Sequence, residues 1–128
     1  MLSIQTDESV VAMRKLLRER SLELKLSLVD QTKFITAASE LARNMLRYAD
    51  GGEVHLSLLS KGSSRGLCLD FIDRGPGITD IAQALMDGFT TGGGLGLGLG
   101  GAKRLVDEFD IQSEPGKGTK VSIVKWKK

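Results

Sequence analysis

Three groups of residues in this chain have types and spacings suited to chemistry. Glu40 and Asn44 lie four apart in a stretch of helical periodicity, so a carboxylate and an amide project from one helix face. Mg²⁺ at a phosphate takes few protein oxygens of this kind and keeps several waters. A carboxylate beside it can accept a proton from a nucleophile. Asp73 closes an alternating strand pattern and is followed by Gly75, Pro76 and Gly77. A carboxylate held over that tight turn can accept a hydrogen bond from an exocyclic amine, and the glycines leave room for a planar base. The third group is TTGGGLGLGLGGAKRLVDEF, residues 90–109, in which seven of the ten residues from Gly92 to Gly101 are glycine. Leu95, Leu97 and Leu99 alternate with Gly94, Gly96, Gly98 and Gly100. Glycine at this density costs backbone entropy, which a fold tolerates where φ is positive or something approaches closely. A glycine loop running into a helix offers free N–H groups and a positive dipole end to a phosphate.

Each group alone has a plainer explanation: a polar helix surface, an Asp-Gly turn, a flexible linker. The linker fits poorly, because linkers are polar and these leucines are spaced to anchor in a core. The glycine run is not a P-loop, since no Gly-Lys-Ser/Thr follows at the required spacing. Nor is it a dinucleotide fingerprint, for no βαβ unit with the matching acidic residue precedes it.

The elements that must position these residues follow in order. Leu2 to Gln5 reads as a short strand. Thr6 and Asp7 cap a helix with Glu8 in its first turn, where negative charge suits the dipole, and the apolar repeat Val10, Val11, Met13, Leu16, Leu17 carries it to about Arg20. Leu22 to Leu26 reads as a loop. Ser27-Leu28-Val29-Asp30 resembles a capping box and opens a long helix to Ala49, with Phe34, Ala37, Ala38, Leu41, Ala42 and Met45 as its apolar stripe. Asp50-Gly51-Gly52 ends it. Val54, Leu56 and Leu58 alternate as a strand, Lys61 to Gly66 is a hairpin turn, and Leu67, Leu69 and Phe71 alternate on the returning strand. Ile81 to Met86 reads as a short helix and Asp87 to Gly94 as a loop. Leu99, Ala102, Leu105 and Val106 form a helical stripe. Asp110 to Ser113 is a short strand, Glu114 to Gly118 a turn, and Thr119 to Trp126 the closing strand. The expected architecture is α/β: one domain over residues 1–128, a two-layer sandwich with a mixed sheet and helices on one face.

Composition bounds the function. At 128 residues with 41% hydrophobic and 27% charged residues, the chain can bury a core. A formal net charge of +2 with one small basic cluster at Lys125, Lys127 and Lys128 argues against nucleic acid. The single cysteine, Cys68, excludes a disulfide framework and a thiolate metal site, and the single histidine, His55, removes zinc and most histidine catalysis. Without a long apolar run or a signal-like amino terminus, the expectation is a soluble cytoplasmic protein with no membrane partner.

Taken together, ELARN, DRGPGI, GLGLGL before KRLVD, and GTKV occur in an order that resembles the GHKL superfamily of ATPases and kinases, the Bergerat fold of gyrase, Hsp90, histidine kinases and MutL. SELARNMLRYA, DGFTTGGGLGLGLGGAKRLVDEFDI and GTKVSIVKW further resemble the RsbT-like serine/threonine switch kinases of the stressosome. The resemblance covers nearly the whole chain. It implies ATP and Mg²⁺ as cofactors, with Asn44 on the metal and Glu40 as the base for the attacking hydroxyl. It implies Asp73 on the adenine amino group, Gly75 and Gly77 at the base, and Thr119 assisting through water. Gly94, Gly96 and Gly98, with the amides around Leu95, Leu97 and Leu99, would wrap the phosphates, and 87–93 would form a lid. Arg43, Arg47 and Lys103 serve phosphate, a partner, or only a solvated helix face. Implied partners are STAS-domain stressosome proteins as substrates and a PP2C-type phosphatase as activation target. The alternative is an anti-sigma factor that sequesters a sigma subunit and phosphorylates its antagonist. A histidine-kinase catalytic domain is a third reading, disfavoured because no helix with a phosphoacceptor histidine is present. The uniform GGGLGLGLGG, with Gly100 and Gly101 where histidine kinases carry larger residues, departs from the family pattern.

Overall fold

A computed structural model of the chain describes residues 2–49, 51–75, 98–114 and 116–127. The expected helix at 81–86 and loop at 87–94 lie outside these residues. After strand β1 (Leu2–Ile4), Thr6 starts helix α1 (Asp7–Leu24) through a capping box in which its side chain accepts the Ser9 amide at 3.2 Å. The helix runs past Arg20, where the sequence suggests an end, and takes in Leu22 to Leu24, expected in a loop. The reason is burial: Met13, Leu17 and Ser21 form one continuous inner stripe, with half-buried Leu24 extending it. Termination comes from Lys25 in the left-handed region (φ 62°), with Lys25 N–H donating to Leu22 O and Leu26 N–H to Ser21 O, a Schellman arrangement. No glycine announces it.

Ser27 then caps helix α2 (Leu28–Ala49), its hydroxyl accepting the Asp30 amide at 3.1 Å. The expected stripe from Phe34 to Met45 is buried along its length. Beyond the helix, the Gly51 amide donates back to Met45 O at 2.9 Å. Strands β2 (Gly52–Lys61) and β3 (Ser64–Asp73) form a hairpin with only Gly62 and Ser63 in its loop, tighter than the 61–66 turn expected, because pairing persists to Lys61 and Ser64. Helix α3 (Gly98–Arg104), strand β4 (Glu108–Glu114) and strand β5 (Gly118–Trp126) complete the order.

The sheet order is β1-β2-β3-β5-β4, and each of its pairings is antiparallel. The mixed sheet expected from the sequence is therefore corrected. Strand β4 does run in the direction of β3, but β5 hairpins back and takes the place between them, so the parallel pair never become neighbours. The two layers are as expected. Leu2, Val54, Phe71, Val121 and Ile111 make one row across the inner face; Leu56, Leu69, Ile123 and Phe109 make the next. Helix α2 packs on four strands, with α1 and α3 on either side of it. Phe34, Phe71, Met13, Leu17 and Leu69 are fully buried there, each contributing about 1.5–3 kcal/mol of transfer free energy. The opposite face of the sheet carries His55, Asp70, Ser122 and Asp110 in register and has no helix over it among the described residues.

Candidate functional site

At one end of the inner face the apolar rows give way to a polar one. Asp73, the last residue of β3, stands opposite Thr119 of β5, and Thr119 stands opposite Ser113 of β4. Their side chains share the parity of Phe71, Val121 and Ile111, so they point toward the helical layer. The Thr119 and Ser113 hydroxyls lie 2.8 Å apart, and Ser113 also donates to Gly118 O at 3.1 Å. Spacing and resemblance mark Asp73 and Thr119 in the sequence, but not Ser113. Only the register of the last hairpin reveals it.

Two glycines hold this end together. Gly118 has φ 95°, and a side chain there would meet Asp73 O at 2.2 Å. Gly75 donates its amide to Asp73 Oδ1 at 2.9 Å, and a Cβ on it would stand 2.5 Å from Ala49 Cβ in the last turn of α2. The turn after Asp73 is thus seated on the carboxyl end of α2. Helix α2 brings Glu40 and Asn44 to the same layer, one turn apart. The Glu40 side chain is 15% exposed, and its Oε1 lies 3.5 Å from Arg43 Nη1. Arg43 and Arg47 line a shallow cleft with Asp7 and Leu46, between α2 and the start of α1. Lys103 is exposed on α3, next to the core residue Ala102. Gly98 and Leu99 open α3, Leu99 packing against the core. Gly77, Gly94, Leu95, Gly96 and Leu97 lie outside the described residues.

The arrangement is an acceptor carboxylate beside two hydroxyls at a sheet end and a carboxylate–amide pair on the adjoining helix, with the last glycines of the run inside α3. It suits a ligand with a polar planar end and an anionic end. Residues 29–128 match the family described as histidine kinase-, DNA gyrase B- and HSP90-like ATPase, and the chain belongs to it. Within that family it is 45% identical over 123 residues, 96% of its length and 92% of the other's, to serine/threonine-protein kinase RsbT of Bacillus subtilis strain 168. It is 30% identical to anti-sigma F factor of Thermoanaerobacter sp. strain X514, over 71% of this chain and 66% of that one. The solved structure of the mycobacterial sensor histidine kinase MprB shares the fold, with a TM-score of 0.57 at 21% identity over 75% of this chain and 71% of that one. No helix among the described residues is long and apolar enough to cross a membrane.

Proposed function

We propose that this protein is an ATP-dependent protein serine/threonine kinase of a cytoplasmic partner-switching stress response. It phosphorylates STAS-domain stressosome proteins and, once released from them, activates a PP2C-type phosphatase. The observation that carries this reading is the near full-length 45% identity to a serine/threonine-protein kinase. The row of Asp73 and Thr119 at the sheet end supports it. Asp73 accepts a hydrogen bond from the adenine amino group, Gly75 and Gly77 make room for the ring, and Thr119 reaches the base through water. The resemblance assigns the phosphates to amides of the run from Gly94 to Leu99.

The donor set also fits a hard cation. Asn44 offers one amide oxygen, half-buried on the α2 face beside Glu40, and Mg²⁺ that keeps its waters and shares phosphate oxygens needs little more. Bound there, Mg²⁺ would neutralise charge on the phosphates. Glu40, whose side chain is largely buried on α2, takes the proton from the attacking serine or threonine hydroxyl.

The decisive assay is transfer of radiolabel from ATP to STAS-domain proteins, with acid-stable product. Glu40→Ala is expected to keep nucleotide binding and to cut transfer by about 10²–10⁴. Near-normal transfer removes Glu40 as the base, and an acid-labile product removes the hydroxyl acceptor. The second reading, an anti-sigma factor kinase, is favoured by the 30% identity to anti-sigma F factor. Stable capture of a sigma subunit without labelling of a STAS scaffold would put it first.

A further inference from the structure

Among the described residues, one charged side chain is buried: Lys125, 4% exposed, on the inner face of β5 opposite Leu67. An apolar residue would fill this place without the desolvation cost of an ammonium. Instead, Lys125 Nζ donates to Leu105 O at 3.3 Å and stands 3.5 Å from Asp30 Oδ1 and 3.7 Å from Asp107 Oδ1. These groups belong to separate elements. Leu105 follows the last residue of α3, Asp30 lies in the first turn of α2, and Asp107 leads into β4. Asp107 is itself fastened to β5, its Oδ2 accepting the Trp126 amide at 2.7 Å and its own amide donating to Val124 O at 2.9 Å.

The polarity of the arrangement matches the helices. The Asp30 carboxylate sits at the positive end of α2, and the Lys125 ammonium sits at the carbonyl end of α3. Helix α3 has reason to need such a tie. Its described residues, GLGGAKR, include three glycines, a composition that does not sustain a helix unaided. Leu99 and Ala102 are its apolar residues that pack on the core.

We propose that Lys125 is a positioning residue for nucleotide binding: with Asp30 and Asp107 it latches α3, and so the exit of the glycine run, to the helix that carries Glu40 and Asn44. This inference rests on the nucleotide reading above. The test compares Lys125→Met, which keeps chain length but removes charge, with Asp30→Asn, which releases only the α2 side and leaves Lys125 held by Leu105 and Asp107. Lys125→Met is expected to weaken ATP–Mg²⁺ affinity by calorimetry, and to raise KM, by about tenfold, with kcat at saturation within about twofold. Asp30→Asn gives the same pattern at about threefold, and Lys125→Arg restores part of the affinity. Amide hydrogen exchange in 98–104 of the free protein rises in both variants while β2 and β3 keep their protection. Unchanged affinity in both variants, or exchange rising alike in α3 and the sheet, overturns the proposal. Loss of kcat without change in KM also overturns it. Should the wild-type protein fail to bind ATP, the nucleotide reading falls. Exchange in α3 still reads the latch: selective loss of protection supports it and uniform loss overturns it.

Discussion

Adding one methyl at Gly75 tests whether the turn below Asp73 is seated on α2. In Gly75→Ala the new Cβ would lie 2.5 Å from Ala49 Cβ, 3.0 Å from Ala49 Cα and 3.2 Å from Asp73 Oδ1. Carbon atoms pack favourably at about 3.5–4.0 Å, so the turn and the helix must part by roughly 1 Å. Ala49 cannot rotate away, since its Cβ is fixed by the helical backbone. Overpacking of this kind costs about 1–3 kcal/mol, or roughly 3–10 °C in Tm for a domain of this size. The movable part is the turn, whose bond from Gly75 N–H to Asp73 Oδ1 then lengthens from 2.9 Å. The carboxylate shifts with it, and ATP affinity is expected to fall by about tenfold, equivalent to about 1.4 kcal/mol. Ala49→Gly removes the nearer contact and by itself costs about 0.5–1 kcal/mol of helix stability. Combined with Gly75→Ala it should recover part of both losses, with a coupling of about 1 kcal/mol in a double-mutant cycle. Thermal and urea unfolding measure the stability, and calorimetry with ATP measures the site. A Gly75→Ala protein with wild-type Tm and affinity, or additive behaviour with Ala49→Gly, refutes the seating of the turn.

Three further outcomes are expected. Asp73→Asn keeps an oxygen for the Gly75 amide but replaces an acceptor-only group with an amide, so the fold should persist while ATP affinity drops by about 100-fold or more; unchanged affinity by calorimetry removes Asp73 as the adenine reader. Ser21 is fully buried in α1 and its hydroxyl has no hydrogen-bond partner among the described residues, so Ser21→Ala should raise stability by about 1 kcal/mol in urea unfolding, and a loss of stability would count against the orphan hydroxyl. Burial, and next the Asp70 carboxylate, push the Cys68 thiol above its ordinary value. The folded protein holds that proton more tightly than the unfolded chain. This contribution to stability is therefore complete below the free-thiol titration and is lost as pH rises through the folded value. Iodoacetamide should modify Cys68 slowly near neutral pH, and Asp70→Asn should quicken the reaction; equal rates would refute the coupling to Asp70.

Much of this molecule is written locally. Thr6, Ser27 and Gly51 mark helix boundaries within a few residues of the groups they bond, which is why the start of α1 and both ends of α2 were legible. The stripe from Phe34 to Met45 and the alternation of Leu67, Leu69 and Phe71 are periodic over one element, so the core face was legible too. Glu40, Asn44, Asp73 and Thr119 stood out because their spacing resembles a family order, and the structure places Asp73 opposite Thr119. Where the signal was not local, reading failed. The end of α1 lies at a left-handed lysine rather than a glycine, and only burial of Ser21 and Leu26 against the rest of the core explains why the chain turns there.

Order in sequence determined the elements, their faces and the residues fit for nucleotide chemistry, because caps, hydrophobic period and motif spacing act over a few residues. Tertiary structure decided the rest. It inserted β5 between β3 and β4, which turned an expected mixed sheet into an antiparallel one and brought Ser113 to the row of Asp73 and Thr119. It also buried Lys125, which reads in sequence as one of three basic residues at a solvated end, against carboxylates 95 and 18 positions earlier in the chain. Strand neighbours and buried charge pairs are set by which distant surfaces meet, and no window of neighbouring residues encodes that.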